Sequence, residues 1–186
     1  MMVEPLFEQS AETVARGLIG WTFEVAGVGG RIVETEAYDA DDPASHSFGG
    51  PRVRNAPMFG PVGRAYVYRI YGLHWCFNIV CDAARPGSAV LLRALEPLSG
   101  LEAMRRRRDL AGDVALCSGP GRLCEALAID GFLNGAELLE PPFCLTPPDQ
   151  RFDVVVGSRI GISRATETPG RFGLAGSPFL SRAFRS

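Results

Sequence analysis

The stretch VETEAYDADDPASHS, residues 33–47, brings Glu34, Glu36, Asp39, Asp41 and Asp42 together with Tyr38 and His46, one of the two histidines of the chain. Read as a strand, its first half places Glu34 and Glu36 on one face, about 7 Å apart. Two carboxylates at that spacing can flank a water at a glycosidic bond, one as acid and one as base. Glu34, Glu36 and His46 could instead ligate a metal ion, but no H-x-x-x-H spacing or second histidine cluster supports them. On pattern alone the plainest alternative is a pair of solvent-exposed strand glutamates.

The residues that follow add aromatic rings and positive charge. All four tyrosines, Tyr38, Tyr66, Tyr68 and Tyr71, fall between positions 38 and 71, near Trp75 and Phe77. Aromatic strand residues are usually core, yet this cluster beside a histidine-bearing loop could also wall a pocket for a planar ligand. Stacking on a base contributes about 1–3 kcal/mol per contact. Arg52, Arg54, Arg64 and Arg69 interleave with these rings. Each alone reads as a surface charge, whereas together they suit phosphate contact and base stacking. The chain has nineteen Arg and no Lys, so no lysine can form a Schiff base. No Gly-rich phosphate loop or nucleophile elbow stands out, and Ser118 in CSGPG reads as a helix entry.

Elements must position these groups. SAETVARGLI, from Ser10, has a capping serine and helical spacing of Val14, Leu18 and Ile19. WTFEVAGV and RIVETEAY read as a hairpin turning at Gly29-Gly30, with Ile32, Glu34, Glu36 and Tyr38 on one face. Residues 39–63 form a long loop, of the kind that is usually functional in a compact domain. AYVYRIYG, HWCFNIVC and SAVLLRAL read as three strands of the sheet core. LSGLEAMRRRRDL, with Leu98, Leu101 and Met104 at helical spacing, and RLCEALAI read as helices, and DVVVGSRIGI and RFGLAG as late strands. The class this predicts is α+β: one domain over 1–186 with a mainly antiparallel, curved sheet flanked by helices.

Composition narrows the setting. No apolar run approaches a membrane span, and the N-terminus lacks the basic and apolar regions of a secretory signal. Cys76, Cys81, Cys117, Cys124 and Cys144 are odd in number and form no C-x-x-C pair, so reduced, mostly buried thiols and a cytosolic location are expected. The net charge of −2 conceals an asymmetry: residues 1–50 carry two Arg against nine Asp/Glu, residues 51–110 ten against four, and the remainder seven against eight. A basic middle segment is what phosphate contact requires, or else a solvated charged face.

The blocks RIVETEAYDADDPASHSFGG, RNAPMFGPVGRAYVYRIYGLHWCFNIVC, VLLRALEPLSGLEAMR and LCSGPGRLCEALAI together resemble the alkyladenine, or 3-methyladenine, DNA glycosylase family. The similarity runs from ARGLIG to GSPFLS, and E-T-E-A-Y followed by Y-V-Y-x-I-Y-G is its most specific part. The resemblance implies that fold and a monofunctional enzyme that flips out alkylated or deaminated purines and hydrolyses their N-glycosyl bonds, leaving an abasic site. It implies Glu36 as the base activating water, with Arg93 beside it. Tyr38, His46, Tyr68, Asn78 and the backbone around Ala44 would line the base pocket, Asn78 by excluding guanine's 2-amino group. Tyr71 would wedge into the duplex, with Leu73, His74 and Arg69 on the DNA-facing side. No cofactor or metal is implied, and the partner would be double-stranded DNA with damaged purines, met by a monomer in a bacterial cytosol. Leu73 and His74 replace a Met and a Tyr of vertebrate members, and the region around 110–115 is shorter. The rivals are a lesion-binding module without catalysis and a metal-dependent hydrolase.

Overall fold

The computed structural model describes residues 4–184; residues 1–3, the first of those read for a secretory signal, lie outside it. The chain opens with helices α1 (Glu4–Phe7) and α2 (Ala11–Gly17). Ser10 caps α2, its hydroxyl accepting from the Thr13 N–H at 3.3 Å; Ala11, Val14 and Ala15 form its buried stripe, while Leu18 and Ile19, expected in the helix, are buried just past its end.

Strands β1 (Thr22–Val25) and β2 (Val28–Tyr38) form the expected hairpin, but it turns at Ala26-Gly27, where φ is 50° and 78°. Positive φ at both positions matches the twist of the flanking strands. Gly29 and Gly30 lie inside β2 instead, and they serve close packing. A Cβ on Gly29 would stand 2.0 Å from the Phe23 carbonyl oxygen, and one on Gly30 1.9 Å from that of Glu96. The glycine pair is thus a site of backbone approach rather than a turn.

The central strands follow as read: β3 (Ala65–Ile70), β4 (His74–Cys81) and β5 (Ser88–Ser99), with a 3₁₀ helix (Val53–Phe59) in the preceding loop. Leu98 belongs to β5 and not to the next helix, because left-handed Gly100 starts α3 (Leu101–Arg108). Helix α4 (Pro120–Leu127) begins with Pro120 in its first turn. Strand β6 (Phe143–Thr146) comes from the Pro-rich stretch that gave no strand signal, and β7 (Val154–Ser158) ends before Arg159 and Ile160. Strand β8 (Pro169–Leu174) closes the set.

These strands form one antiparallel sheet in the order β3-β4-β5-β2-β1-β6, with β8 on β2 and β7 on β8. On the side away from β5, β2 pairs with β1 through Val28–Arg31 and then with β8 through Glu34–Glu36. The sheet therefore curls around β2, and the fold is α+β as expected. Pairing with β5 slips between Ile32 and Glu34 and again between Glu34 and Thr35, a bulge that breaks strict alternation. Ile32 consequently joins Ala37 in the main core rather than sharing a face with the glutamates.

That core lies between the sheet and the helices. Phe23, Phe77 and Phe143 pack with centroids 5.0–5.9 Å apart, and Leu92, Leu95, Met104, Leu123 and Phe172 are fully buried around them. Truncating one such phenylalanine costs about 3–5 kcal/mol. A smaller cluster of Met58, Tyr66, Val80 and Ala89, flanked by Phe59 and Tyr68, supports the long loop. Cys76, Cys81, Cys117 and Cys124 are buried thiols and Cys144 is exposed; none is paired. Among the described residues no helix is long and apolar enough to cross a membrane.

Candidate active site

Glu34 and Glu36 are both fully buried, which corrects the exposed-glutamate reading. The curl covers β2 on both sides, and buried carboxylates require hydrogen-bond partners. Glu36 Oε1 accepts the Ile160 backbone N–H at 2.7 Å; Oε2 accepts the Tyr38 hydroxyl at 2.8 Å and Arg93 Nη1 at 3.2 Å. Burial raises its pKa, opposed by the Arg93 charge and by the Ile160 and Tyr38 hydrogen bonds, while Glu34 reinforces the rise. The carboxyl is therefore a better base than an exposed glutamate.

Glu34 is enclosed differently. Oε1 accepts from Arg171 Nε at 2.7 Å, Ser181 Oγ at 2.8 Å and Arg93 Nε at 3.2 Å, and Oε2 from the Ser181 N–H at 2.5 Å. Its lone pairs are committed to the protein. Arg93 bridges the two glutamates, so two arginines balance two carboxylates beneath the sheet surface.

The three donors to Glu36 belong to residues that line a cavity of about 480 Å³, along with Ala44, His46, Tyr66, Tyr68 and Asn78. The His46 ring lies 4.4 Å from that of Tyr68, and Nδ1 is 3.1 Å from the Tyr66 hydroxyl. Burial, aided by the Arg54 charge, lowers the His46 pKa, so the ring is neutral at pH 7 and keeps one N–H donor. Burial raises the pKa of the Tyr38 and Tyr68 hydroxyls, which stay protonated as donors. Asn78 Nδ2 donates to the Tyr66 carbonyl at 3.1 Å, fixing its amide at the wall. The Ala44 N–H is held by Asp42 Oδ1 at 2.8 Å and the His46 carbonyl by Asn55 Nδ2 at 2.8 Å. These bonds give the 39–47 loop a fixed shape without strands.

At the rim stands the β3–β4 turn. Tyr71 and Gly72 have φ of 52° and 68°, and Tyr71 and Leu73 are 85% and 72% exposed. Tyr71 reaches the cavity edge. His74 is exposed in a separate depression beside Gly119–Arg122, and Arg69 projects to solvent with its guanidinium 5.3 Å from the Trp75 ring centroid. The expected residues thus divide into a cavity-lining set (Tyr38, Ala44, His46, Tyr68, Asn78 and Arg93), Glu36 buried behind it and reached through Tyr38, Arg93 and Ile160, and a rim set (Tyr71, Leu73, His74 and Arg69).

Sequence reading missed the second half of this site. Ile160, Arg171 and Ser181 reach the glutamates from 124 to 147 residues away, and no local motif announces them. The segment after β7 was read as strand, yet Ile160 to Arg164 form a cavity wall. Among the described residues no group of three or more His, Cys, Asp or Glu is placed to hold a metal ion. Glu34 and His46, two of the supposed ligands, are engaged by other partners.

A curled antiparallel sheet with a buried acid under an aromatic cavity suits hydrolysis at a flat, hydrophobic group. Comparison with known proteins agrees. The methylpurine-DNA glycosylase family pattern matches residues 5–178. A protein of Nitrosospira multiformis is 62% identical over 96% of this chain and 93% of its own length. One from Agrobacterium fabrum is 55% identical over 97% and 92%, and one from Rhizobium meliloti 56% over 96% and 95%. Each is provisionally named a 3-methyladenine DNA glycosylase. The chain belongs to the methylpurine-DNA glycosylase family. It is a DNA repair enzyme that hydrolyses N-glycosyl bonds in DNA.

Proposed function

We propose that the enzyme excises alkylated or deaminated purines, among them 3-methyladenine, 7-methylguanine and hypoxanthine, from a nucleotide flipped into the cavity. The observation that carries this reading is the buried Glu36, tied to Arg93 and roofed by the aromatic cavity. The flipped purine stacks on Tyr38, opposite His46 and Tyr68, whose faces attract the positive charge of an alkylated base. Asn78 disfavours undamaged guanine by crowding its 2-amino group, a penalty that the positive charge of 7-methylguanine offsets through the aromatic walls. Glu36 takes a proton from water as the water oxygen bonds to the anomeric carbon, and the electron pair of the breaking N-glycosyl bond leaves with the base. The carboxylate also stabilises positive charge growing on the sugar. Arg93 keeps Glu36 ionised against its burial.

Tyr71 fills the gap left in the duplex, offsetting an unstacking cost of a few kcal/mol. Leu73 and His74 flank it on the DNA, and Arg69 meets phosphates. With no lysine to form an imine, the sugar–phosphate strand is left intact around an abasic site. One cavity accepts one nucleotide, so a monomer in the cytosol suffices, with no metal or cofactor.

Incubation with methylated duplex DNA tests the reading by counting released bases. Release of 3-methyladenine that persists in EDTA and is lost in Glu36→Gln supports it. Tight lesion binding without release would mark a binding module, and loss of release in EDTA a metal-dependent hydrolase; either outcome sinks it.

A further inference from the structure

Tyr38 lines the cavity, and one face of its ring is covered by a buried charge that is not part of the lining. The Arg159 guanidinium carbon lies 4.7 Å from the Tyr38 ring centroid. Arg159 takes no part in the cavity wall, although Ile160 to Arg164 do, so the guanidinium stands behind the ring. Its side chain is 1% exposed and therefore little screened by solvent. Nη1 bonds the Ala37 carbonyl at 3.0 Å and pairs with Asp42; Nη2 reaches the Ala165 carbonyl at 3.4 Å. Nε has no acceptor among the described residues, and Asp42 is its one carboxylate partner among them. The opposite aromatic wall differs: Arg54 lies 6.0 Å from the Tyr68 ring centroid and is exposed, so solvent and salt weaken its effect.

We propose that the Arg159–Asp42 pair sets the preference of the enzyme between cationic and neutral purines through the rear face of Tyr38. A cation over one face of an aromatic ring draws on the electron density that a cation on the other face would use. It also repels that second cation across the ring. Arg159 therefore restrains the attraction of Tyr38 for a positively charged base, and Asp42 limits the restraint. A neutral base, held by stacking and hydrogen bonds, is much less sensitive to either charge. Selection by lesion charge is thereby tuned without touching the lesion. The proposal rests on the stacking of a flipped purine against Tyr38 proposed above.

The experiment measures single-turnover release of 7-methylguanine, a fixed cation, and of hypoxanthine, which is neutral, from duplexes of one sequence. The readout is the ratio of the two rates. Arg159→Gln should raise the ratio roughly threefold to tenfold, the range of one partly buried cation–π contact. Asp42→Asn, which leaves Arg159 unbalanced, should lower it by a similar factor. In the double variant the lowering by Asp42→Asn disappears, because the charge it exposes is gone. A purely structural role would slow both lesions alike in all variants, and unchanged ratios or shifts in one direction overturn the proposal. If a single variant does not fold, the double variant, which leaves no unpaired buried charge and lacks the Arg159 restraint, decides: a ratio above wild type supports it, and one at or below wild type overturns it. Failure of the wild-type protein to release either base would instead overturn the purine-excision reading beneath it.

Discussion

The floor of the cavity and the β3–β4 tip invert the usual distribution of side chains in opposite ways. Glu34, Glu36, Arg93 and Arg171 are charged and at most 7% exposed, while Tyr71 and Leu73 are large, apolar and mostly exposed. Each inversion costs stability: buried charge loses hydration, and a tyrosine at φ 52° strains the backbone by about 1–2 kcal/mol. The devices that hold them differ. The floor is fixed by hydrogen bonds from distant segments, whereas the tip is a tight turn closed by the Leu73 N–H on the Ile70 carbonyl. The proposed chemistry is thus anchored in the hydrogen-bonded part, and the surface proposed to meet DNA is carried on the turn.

Breaking the floor should have the largest effect. Glu36→Gln is expected to reduce single-turnover excision by at least about 10²–10⁴-fold, with an unchanged circular dichroism spectrum. Glu34→Gln should damage the fold first, because its charge partners stay buried without it; the cost is about 3–5 kcal/mol, read as a lower midpoint in urea. At the tip, Tyr71→Ala should leave the urea midpoint within about 0.5 kcal/mol and slow excision roughly tenfold or more from duplex DNA. Excision from single strands should change much less.

The pH profile sharpens the contrast. As the proposed base Glu36 must be deprotonated, and burial raises its pKa above the ordinary 4.5, so the acid limb of excision should lie above that value. Arg93 is the largest influence opposing the rise, so Arg93→Gln should move the limb to still higher pH. Tyr71→Ala should not move it. Because the folded state binds this proton more readily than the unfolded chain, ionising Glu36 costs stability as pH climbs from 4.5 through the raised folded value.

The strands β3 to β5 and helices α2 to α4 were legible because period, caps and turn residues are local signals, whereas Glu36, Ala44, Asn78 and Arg93 were singled out only by the family resemblance. Gly29-Gly30 misled, since a glycine pair can serve a turn or a close approach, and only the partner strand distinguishes them. The charge asymmetry misled in part. Arg64 pairs with Glu137, Arg85 with Asp39, Asp41 and Asp82, Arg93 with both glutamates, Arg105 with Glu102 and Asp113, and Arg108 with Glu125. Much of the basic segment is answered by carboxylates elsewhere in the chain. Arg52, Arg54, Arg69, Arg106 and Arg107 have no carboxylate partner among the described residues. Arg159 and Ile160 were illegible because their meaning depends on Ala37, Asp42 and Glu36, over a hundred residues earlier.

Strand β2 shares hydrogen bonds with β1, β5 and β8, and its Thr35 hydroxyl bonds the Ala15 carbonyl in α2 at 2.8 Å. Its amides should be among the last to exchange with deuterated solvent, opening only when the whole molecule opens. The 39–47 and 159–165 segments, which lie outside the strands, should exchange earlier. On warming, the proposed substrate pocket should loosen well before the carboxylate proposed to activate water, which is lost only with the fold itself.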